Sequence, residues 1–193
     1  MASPNDLADA LIAEGNRAED SGGLREACER YRRAVAAAPG YARAHLNLGI
    51  GLEASGDAEG AIKSFEAALA IEPQNPFANF NLGNLLFKRG EAGRAEELLR
   101  LALKARPEFP EARVALSNVL DLRGDSEGAA AELEAALEHR PDYVGALYNY
   151  GVILRKAQSL PRRRPPCDAR SRSIMDSCPR TKPWGACFAV NRK

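Results

Sequence analysis

The stretch that decides the fold is AHLNLGIGLEASGD at residues 44–57, which returns in loosely rewritten form as ANFNLGNLLFKRGE at residues 78–91. The copies begin 34 residues apart, since 78 − 44 = 34. In both, apolar residues three and four apart lead to a glycine followed by an acidic residue, which is typical of an amphipathic helix that ends in a tight turn. A fixed interval of this length predicts a stack of identical helical units.

The 34-residue interval extends over most of the chain. Prolines recur at this spacing, each closing an Ala/Leu-rich amphipathic run: Pro39, Pro73, Pro107 and Pro141. With the proline as position 32 of a unit, four complete units are predicted at residues 8–41, 42–75, 76–109 and 110–143. A partial fifth unit follows at 144–158, and residues 1–7 are a short leader.

Small residues at fixed positions indicate how the two helices of a unit pack. A glycine at position 15 can take positive φ and reverse the chain between them. Small residues at position 8 and alanine at position 20 predict close helix contact, because glycine inside a helix costs about 1 kcal/mol that packing must offset. The position-15 residues are Gly22, Gly56, Gly90 and Gly124, and those at position 8 are Gly15, Gly49, Gly83, Ser117 and Gly151.

These positions resemble the signature of the tetratricopeptide repeat, an antiparallel helix pair. The resemblance implies an all-α fold, a right-handed α-solenoid of four complete repeats plus a partial fifth, whose first helices line a concave groove for a partner peptide or domain. Position 4 departs from the aromatic residue of the signature, and position 11 of the first unit is Ala18. These departures are expected to weaken individual helix seams. The position-4 residues are Leu11, His45, Asn79, Arg113 and Leu147.

The charge of the chain is unevenly distributed. Residues 1–160 carry 18 Lys and Arg against 24 Asp and Glu, a balance of −6, whereas residues 161–193 carry 9 against 2, a balance of +7. The polar, acidic start has no signal-peptide pattern and no apolar run is long enough for a membrane span, so a cytoplasmic location without membrane contact is expected.

The repeat pattern stops after the first helix of the fifth unit. Pro161, Pro165 and Pro166 prevent a second helix there. Residues 159–193 are therefore predicted to be either an unstructured basic tail rich in Pro, Arg and Cys, or the product of a truncated or shifted reading frame. The fifth first helix is left unpaired, which predicts fraying or weak self-association at this end.

No pattern in the chain indicates catalysis or a cofactor. Phosphate-binding loops, nucleophile elbows and HExxH motifs are absent from the sequence. Cys167, Cys178 and Cys187 are too widely spaced for a zinc site, and Cys28 lies far from them. The short run Arg162–Arg164 is more typical of solvated charge than of a nucleic-acid site. We therefore expect neither enzymatic activity, metal, cofactor nor nucleic-acid binding.

The groove positions implied by the resemblance supply the candidate binding residues. Position 5 carries an apolar row whose side chains either pack between helices or face a partner. Asparagines at position 6 resemble the asparagine ladder of protein O-GlcNAc transferases, which holds peptide backbone, but Ala13 and Ala115 interrupt it. The predicted partner-binding residues are Asn47, Phe80, Asn81, Asn84, Phe87, Asn118, Tyr148 and Asn149. Two functions fit: a free-standing protein-interaction scaffold, or the substrate-recruiting part of an O-GlcNAc-transferase-like glycosyltransferase that has its catalytic domain elsewhere.

Overall fold

The computed structural model describes residues 3–159 of the protein. This part contains nine α-helices and no strand. The helices are α1 (Pro4–Asp20), α2 (Leu24–Ala37), α3 (Ala42–Ala54), α4 (Ala58–Ile71), α5 (Pro76–Lys88), α6 (Ala92–Ala105), α7 (Pro110–Leu122), α8 (Ser126–His139) and α9 (Val144–Ser159). The predicted tail, with its three cysteines, lies outside the described residues except for Ser159.

The helix boundaries follow the predicted interval. The first helices α3, α5, α7 and α9 begin at residues 42, 76, 110 and 144, and the second helices α2, α4, α6 and α8 begin at 24, 58, 92 and 126. Each helix packs against its neighbours in sequence, and each first helix also contacts the first helix of the next unit. The predicted all-α solenoid of helix pairs is thereby confirmed for the described residues.

The turn inside each complete unit depends on the position-15 glycine. Gly22, Gly56, Gly90 and Gly124 have φ of 83°, 87°, 86° and 86°, a region that other residues enter only with strain. In the second and fourth units an aspartate follows and caps the next helix: the Asp57 carboxylate accepts a hydrogen bond from the Gly60 N–H at 2.9 Å. Its equivalent in the fourth unit accepts from Gly128 N–H at 2.9 Å. The predicted reversal therefore coincides with an N-cap.

The small residue at position 8 makes room for the large side chain at position 24. A Cβ added to Gly49 would lie 2.5 Å from Cε1 of Phe65, whose ring is fully buried. Tyr31 occupies the same place over Gly15 in the first unit. In the third unit the side chain of Leu99 lies over Gly83. The close helix contact expected from the sequence therefore consists of an aromatic ring or a leucine side chain of the second helix packed directly against the glycine backbone of the first helix.

The structure adds detail to two expectations. The predicted leader is partly helical, because Ser3 caps α1 at Pro4: its Oγ accepts from the Asp6 N–H at 3.1 Å, and the Asp6 carboxylate accepts from the Ser3 N–H at 2.7 Å. The backbone hydrogen bond from Ser3 lowers the pKa of Asp6. Three position-4 residues also do more than weaken a seam, since each bonds the carbonyl oxygen of the proline that ends the preceding unit. The pairs are His45 Nε2 with Pro39 at 2.9 Å, Asn79 Nδ2 with Pro73 at 3.1 Å, and Arg113 Nη2 with Pro107 at 3.1 Å.

Candidate functional site

The candidate site lies along the first helices, which contact one another in the order α1, α3, α5, α7, α9. The eight predicted residues are distributed over four of them, and half belong to α5. Asn47 lies on α3; Phe80, Asn81, Asn84 and Phe87 lie on α5; Asn118 lies on α7; Tyr148 and Asn149 lie on α9.

Phe80 is shared between the core and the surface. Its ring centroid lies 4.9 Å from that of Phe109, and Phe77 meets the same ring edge-on at 5.6 Å. The Arg106 guanidinium lies 5.4 Å from the Phe77 centroid and 5.1 Å from that of Phe109, within range of a cation–π contact. Since Phe80 is half-buried against the core, packing supplies part of its role and a partner would meet only its remaining surface.

Three of the predicted asparagines use their side-chain amides within the protein. Asn47 Nδ2 donates to the carbonyl of Arg43, one turn earlier in α3, at 2.8 Å. Asn149 Nδ2 donates to Asn118 Oδ1 at 2.9 Å, which joins α9 to α7. Only the remaining hydrogen-bonding capacity of these amides is available to a partner.

The amides of Asn81 and Asn84 are different. Both side chains are half-buried on the same face of α5, one turn apart, and within residues 3–159 neither side chain has a hydrogen-bond partner. Each amide offers donors and an acceptor. Among the described residues, the buried side-chain N and O atoms that lack a partner are Arg113 Nε and Arg140 Nε, so water reaches both asparagine amides and a bound ligand would replace that water. Asn81 and Asn84 are therefore the strongest candidates for partner contact among the eight predicted residues.

Ion pairs link neighbouring units at the carboxyl ends of the first helices. Lys88 Nζ lies 2.7 Å from Glu53 Oε1, and Lys156 Nζ lies 2.7 Å from Asp121 Oδ1. In both pairs position 13 of one unit meets position 12 of the unit before. Sequence reasoning missed this row, although the lag of 35 residues common to both acid–lysine pairs was a usable signal.

The first unit contributes less to the groove than its sequence suggests. The hydroxyl of Tyr31, on the second helix α2, donates to Asn16 Oδ1 at 2.8 Å and also lies 2.9 Å from Glu19 Oε2. Both of these acceptors on α1 are therefore already in contact with a donor from within the unit. Burial, followed by the hydrogen bond to Glu19, raises the pKa of Tyr31. This hydroxyl therefore remains protonated and acts as a fixed donor.

The other end of the described chain exposes apolar surface. Leu147 is 49% exposed and Leu154 42% exposed on one face of α9, and no atom lies within 4 Å of a Cβ added to Gly151. Tyr148, a predicted binding residue, is 72% exposed. Among the described residues no second helix covers α9; the segment that would form one lies outside them.

Comparison with known proteins identifies the class to which these helix pairs belong. Two family profiles, both described as tetratricopeptide repeat, match the chain: one covers residues 52–120, the other residues 12–76 and 120–169. The chain belongs to the tetratricopeptide repeat family, whose members are protein-interaction scaffolds. A search of curated proteins gave no match.

Solved structures show the same fold at low sequence identity. PilF of Pseudomonas aeruginosa superposes with a TM-score of 0.75 at 21% identity, over 80% of this chain and 71% of its own. MamA gives 0.68 at 22% identity, over 75% and 84%. YrrB, described as a TPR protein with an unusual peptide-binding site, gives 0.64 at 20% identity, over 75% and 74%. None of the described helices is both long and apolar enough to cross a bilayer.

Proposed function

We propose that this protein is a non-catalytic scaffold that holds an extended segment of a partner protein in the groove lined by its first helices. One observation carries the proposal: Asn81 and Asn84 present half-buried amides that the described chain leaves without partners. The peptide-binding site named for YrrB, a protein of the same fold, supports a peptide as the ligand class.

The chemistry of an amide suits main-chain recognition. Each peptide unit of an extended partner exposes one N–H and one C=O, and an asparagine side chain can pair with both. Residues one turn apart on a helix lie about 5–6 Å from each other, between the rise of about 3.3 Å per residue of an extended strand and the repeat of about 6.7 Å of groups on its same side, so both amides can reach one short stretch of peptide. Such contacts give affinity without demanding a particular partner sequence.

The experiment is a selection of linear peptides from a random display library on the full chain, followed by fluorescence anisotropy of the recovered peptides. The double variant Asn81→Ala/Asn84→Ala should weaken binding by about tenfold, since each lost hydrogen bond contributes about 0.5–1.5 kcal/mol. Gln74→Ala removes an exposed amide outside the groove and serves as the control. If no peptide is recovered, or if the double variant binds as tightly as the wild type, the proposal is wrong.

The glycosyltransferase-fragment interpretation has no comparable observation in its favour. The asparagine row is interrupted at Ala13 and Ala115, and the Asn47 amide is already bonded to its own helix. A ladder of that kind requires consecutive free amides, so the interaction scaffold is the better-supported function.

We also propose that the uncovered face of α9 supports weak self-association. Leu147 and Leu154 lie on either side of Gly151, so two antiparallel copies would place Leu147 of each against Leu154 of the other in a two-fold contact. Sedimentation velocity over a concentration series tests this. Leu154→Glu should abolish any dimer, whereas Leu101→Glu, at a 45% exposed leucine of α6, should not. A wild-type chain that stays monomeric at all concentrations would overturn the contact.

A further inference from the structure

Two ion pairs link neighbouring first helices, and between them one pair of equivalent positions carries apolar residues instead of charges. We use the name edge row for the residues at positions 12 and 13 of the first helices. At position 12 these are Glu19, Glu53, Phe87, Asp121 and Arg155, and at position 13 they are Asp20, Ala54, Lys88, Leu122 and Lys156.

Two observed contacts fix the register of the edge row. Lys88 reaches back to Glu53, and Lys156 reaches back to Asp121, each over 35 residues. From the same step we infer that Leu122 lies beside Phe87, between the two ion pairs. Leu122 is 65% exposed and Phe87 is half-buried against the core. The equivalent positions on either side carry ion pairs, whereas this one exposes a large apolar surface. Such a surface is a candidate contact for a side chain of the partner.

Charge on the edge row changes sign from one end to the other. At the first unit Asp20 is exposed, and within residues 3–159 the Glu19 carboxylate is paired with no cation and lies against the neutral hydroxyl of Tyr31, so the charge of the edge row there is negative. At the fifth unit Arg155 is exposed, and no carboxylate of the described residues pairs with it. The acids and lysines between these ends neutralise one another in the two ion pairs. An elongated ligand therefore meets a negative end, an apolar middle and a positive end.

We propose that Phe87 and Leu122 seat one large apolar side chain of the bound peptide, with an acidic residue of that peptide near Arg155 and a basic residue near Asp20. The proposal rests on the proposed function and adds the partner's sequence requirement to it. Packed helices lie about 8–10 Å apart, and an extended peptide rises about 3.3 Å per residue. Arg155 lies about one and a half helix spacings from the Phe87–Leu122 step, and Asp20 about two and a half spacings from it on the other side. The acidic residue of the peptide is accordingly about four residues from the apolar one, and the basic residue is about seven residues from it in the opposite direction.

The test uses peptides selected from a random linear display library on the full wild-type chain. Recovered sequences should share leucine, isoleucine or phenylalanine with an acidic residue about four positions away. A representative labelled peptide should bind Leu122→Ser about tenfold more weakly than the wild type. Leu101→Ser alters a comparably exposed leucine on the second helix α6 and should bind like the wild type. Arg155→Gln should weaken binding about threefold, and the difference should vanish in high salt.

The possible results distinguish a failure of this inference from a failure of the proposed function on which it rests. If Asn81→Ala/Asn84→Ala weakens binding while Leu122→Ser does not, peptides bind the groove and the apolar seat is wrong. Recovered sequences without a shared apolar residue lead to the same conclusion. If the library yields no binder, or neither variant changes affinity, both the groove and the seat are wrong.

Discussion

The side chain of Asn79 joins two successive units, because its Nδ2 donates to the carbonyl of Pro73 at 3.1 Å while it also reaches the carbonyl of Asn75 at 2.9 Å. Asn79 is 1% exposed. Pro73 lies near the end of one unit and Asn79 lies in the first helix of the next, so a single buried amide fastens the junction. Proline has no N–H of its own, but its carbonyl remains an acceptor that must be satisfied.

Asn79→Ala should therefore destabilise the protein by about 1–3 kcal/mol, because it removes two hydrogen bonds and leaves space in a packed junction. Chemical denaturation followed by circular dichroism measures the change. Asn81→Ala is the matched control: the same substitution two residues further along α5, at a side chain to which residues 3–159 supply no hydrogen bond, should stay within about 0.5 kcal/mol. Equal effects of the two substitutions would contradict the role given to Asn79.

Adding one methyl group to two equivalent glycines should have opposite effects. Gly49→Ala places a Cβ 2.5 Å from the buried Phe65 ring and should cost about 1–3 kcal/mol through overpacking. Gly151→Ala meets no atom within 4 Å and should stabilise α9 by up to about 1 kcal/mol through helix propensity. Thermal melting of the two variants gives the comparison. A loss of stability for Gly151→Ala would show that this surface is covered in the intact protein.

Backbone amides of α9 should exchange with solvent faster than those of α7. Within residues 3–159 no helix covers the apolar face of α9 as α8 covers α7, so fewer buried contacts oppose its opening. Hydrogen exchange followed by mass spectrometry resolves the two helices. Joining a polar capping helix after residue 158 should slow exchange in α9 and raise the melting temperature. Protection of α9 equal to that of α7 before any graft would contradict this expectation.

Acid should weaken the protein partly through Glu111. Burial raises the pKa of this carboxyl, but the hydrogen bond from Arg140, a backbone hydrogen bond and the charges of Arg140 and Arg106 outweigh burial and lower it. Because the folded pKa lies below the unfolded one, the contribution is complete above the ordinary glutamate pKa and is lost as pH falls through the folded value. Glu111→Gln should show a smaller loss of melting temperature on acidification than the wild type. Glu108→Gln, an exposed neighbour, should follow the wild type.

Much of the fold was predictable because the repeat imposes the same local requirements several times. The φ of Gly56 and its equivalents, and the seat that Gly49 provides for Phe65, follow from residue size and backbone freedom, both of which can be read from spacing. The beginning of α1 was missed because its capping box, Ser3 with Asp6, lies outside the repeated pattern. Local capping has no periodic signal.

The site was predictable only as a set of positions. Their sequence pattern did not show that Asn47 bonds its own helix while Asn81 does not, because that depends on side-chain rotamers. Likewise, Leu122 was overlooked: position 13 has no place in the repeat signature, and its exposure depends on what the neighbouring unit presents. Such features arise between units, where sequence distance gives little information.

The position-4 bonds fasten the first three junctions but not the last. His45, Asn79 and Arg113 each fasten a junction to the preceding proline, but at the last junction Leu147 has no donor to offer Pro141. This junction relies instead on the exposed contacts of Asn149 with Asn118 and of Lys156 with Asp121. A partner seated across the fourth and fifth units would therefore add to these exposed contacts, whereas each of the first three junctions is already fastened by its position-4 bond.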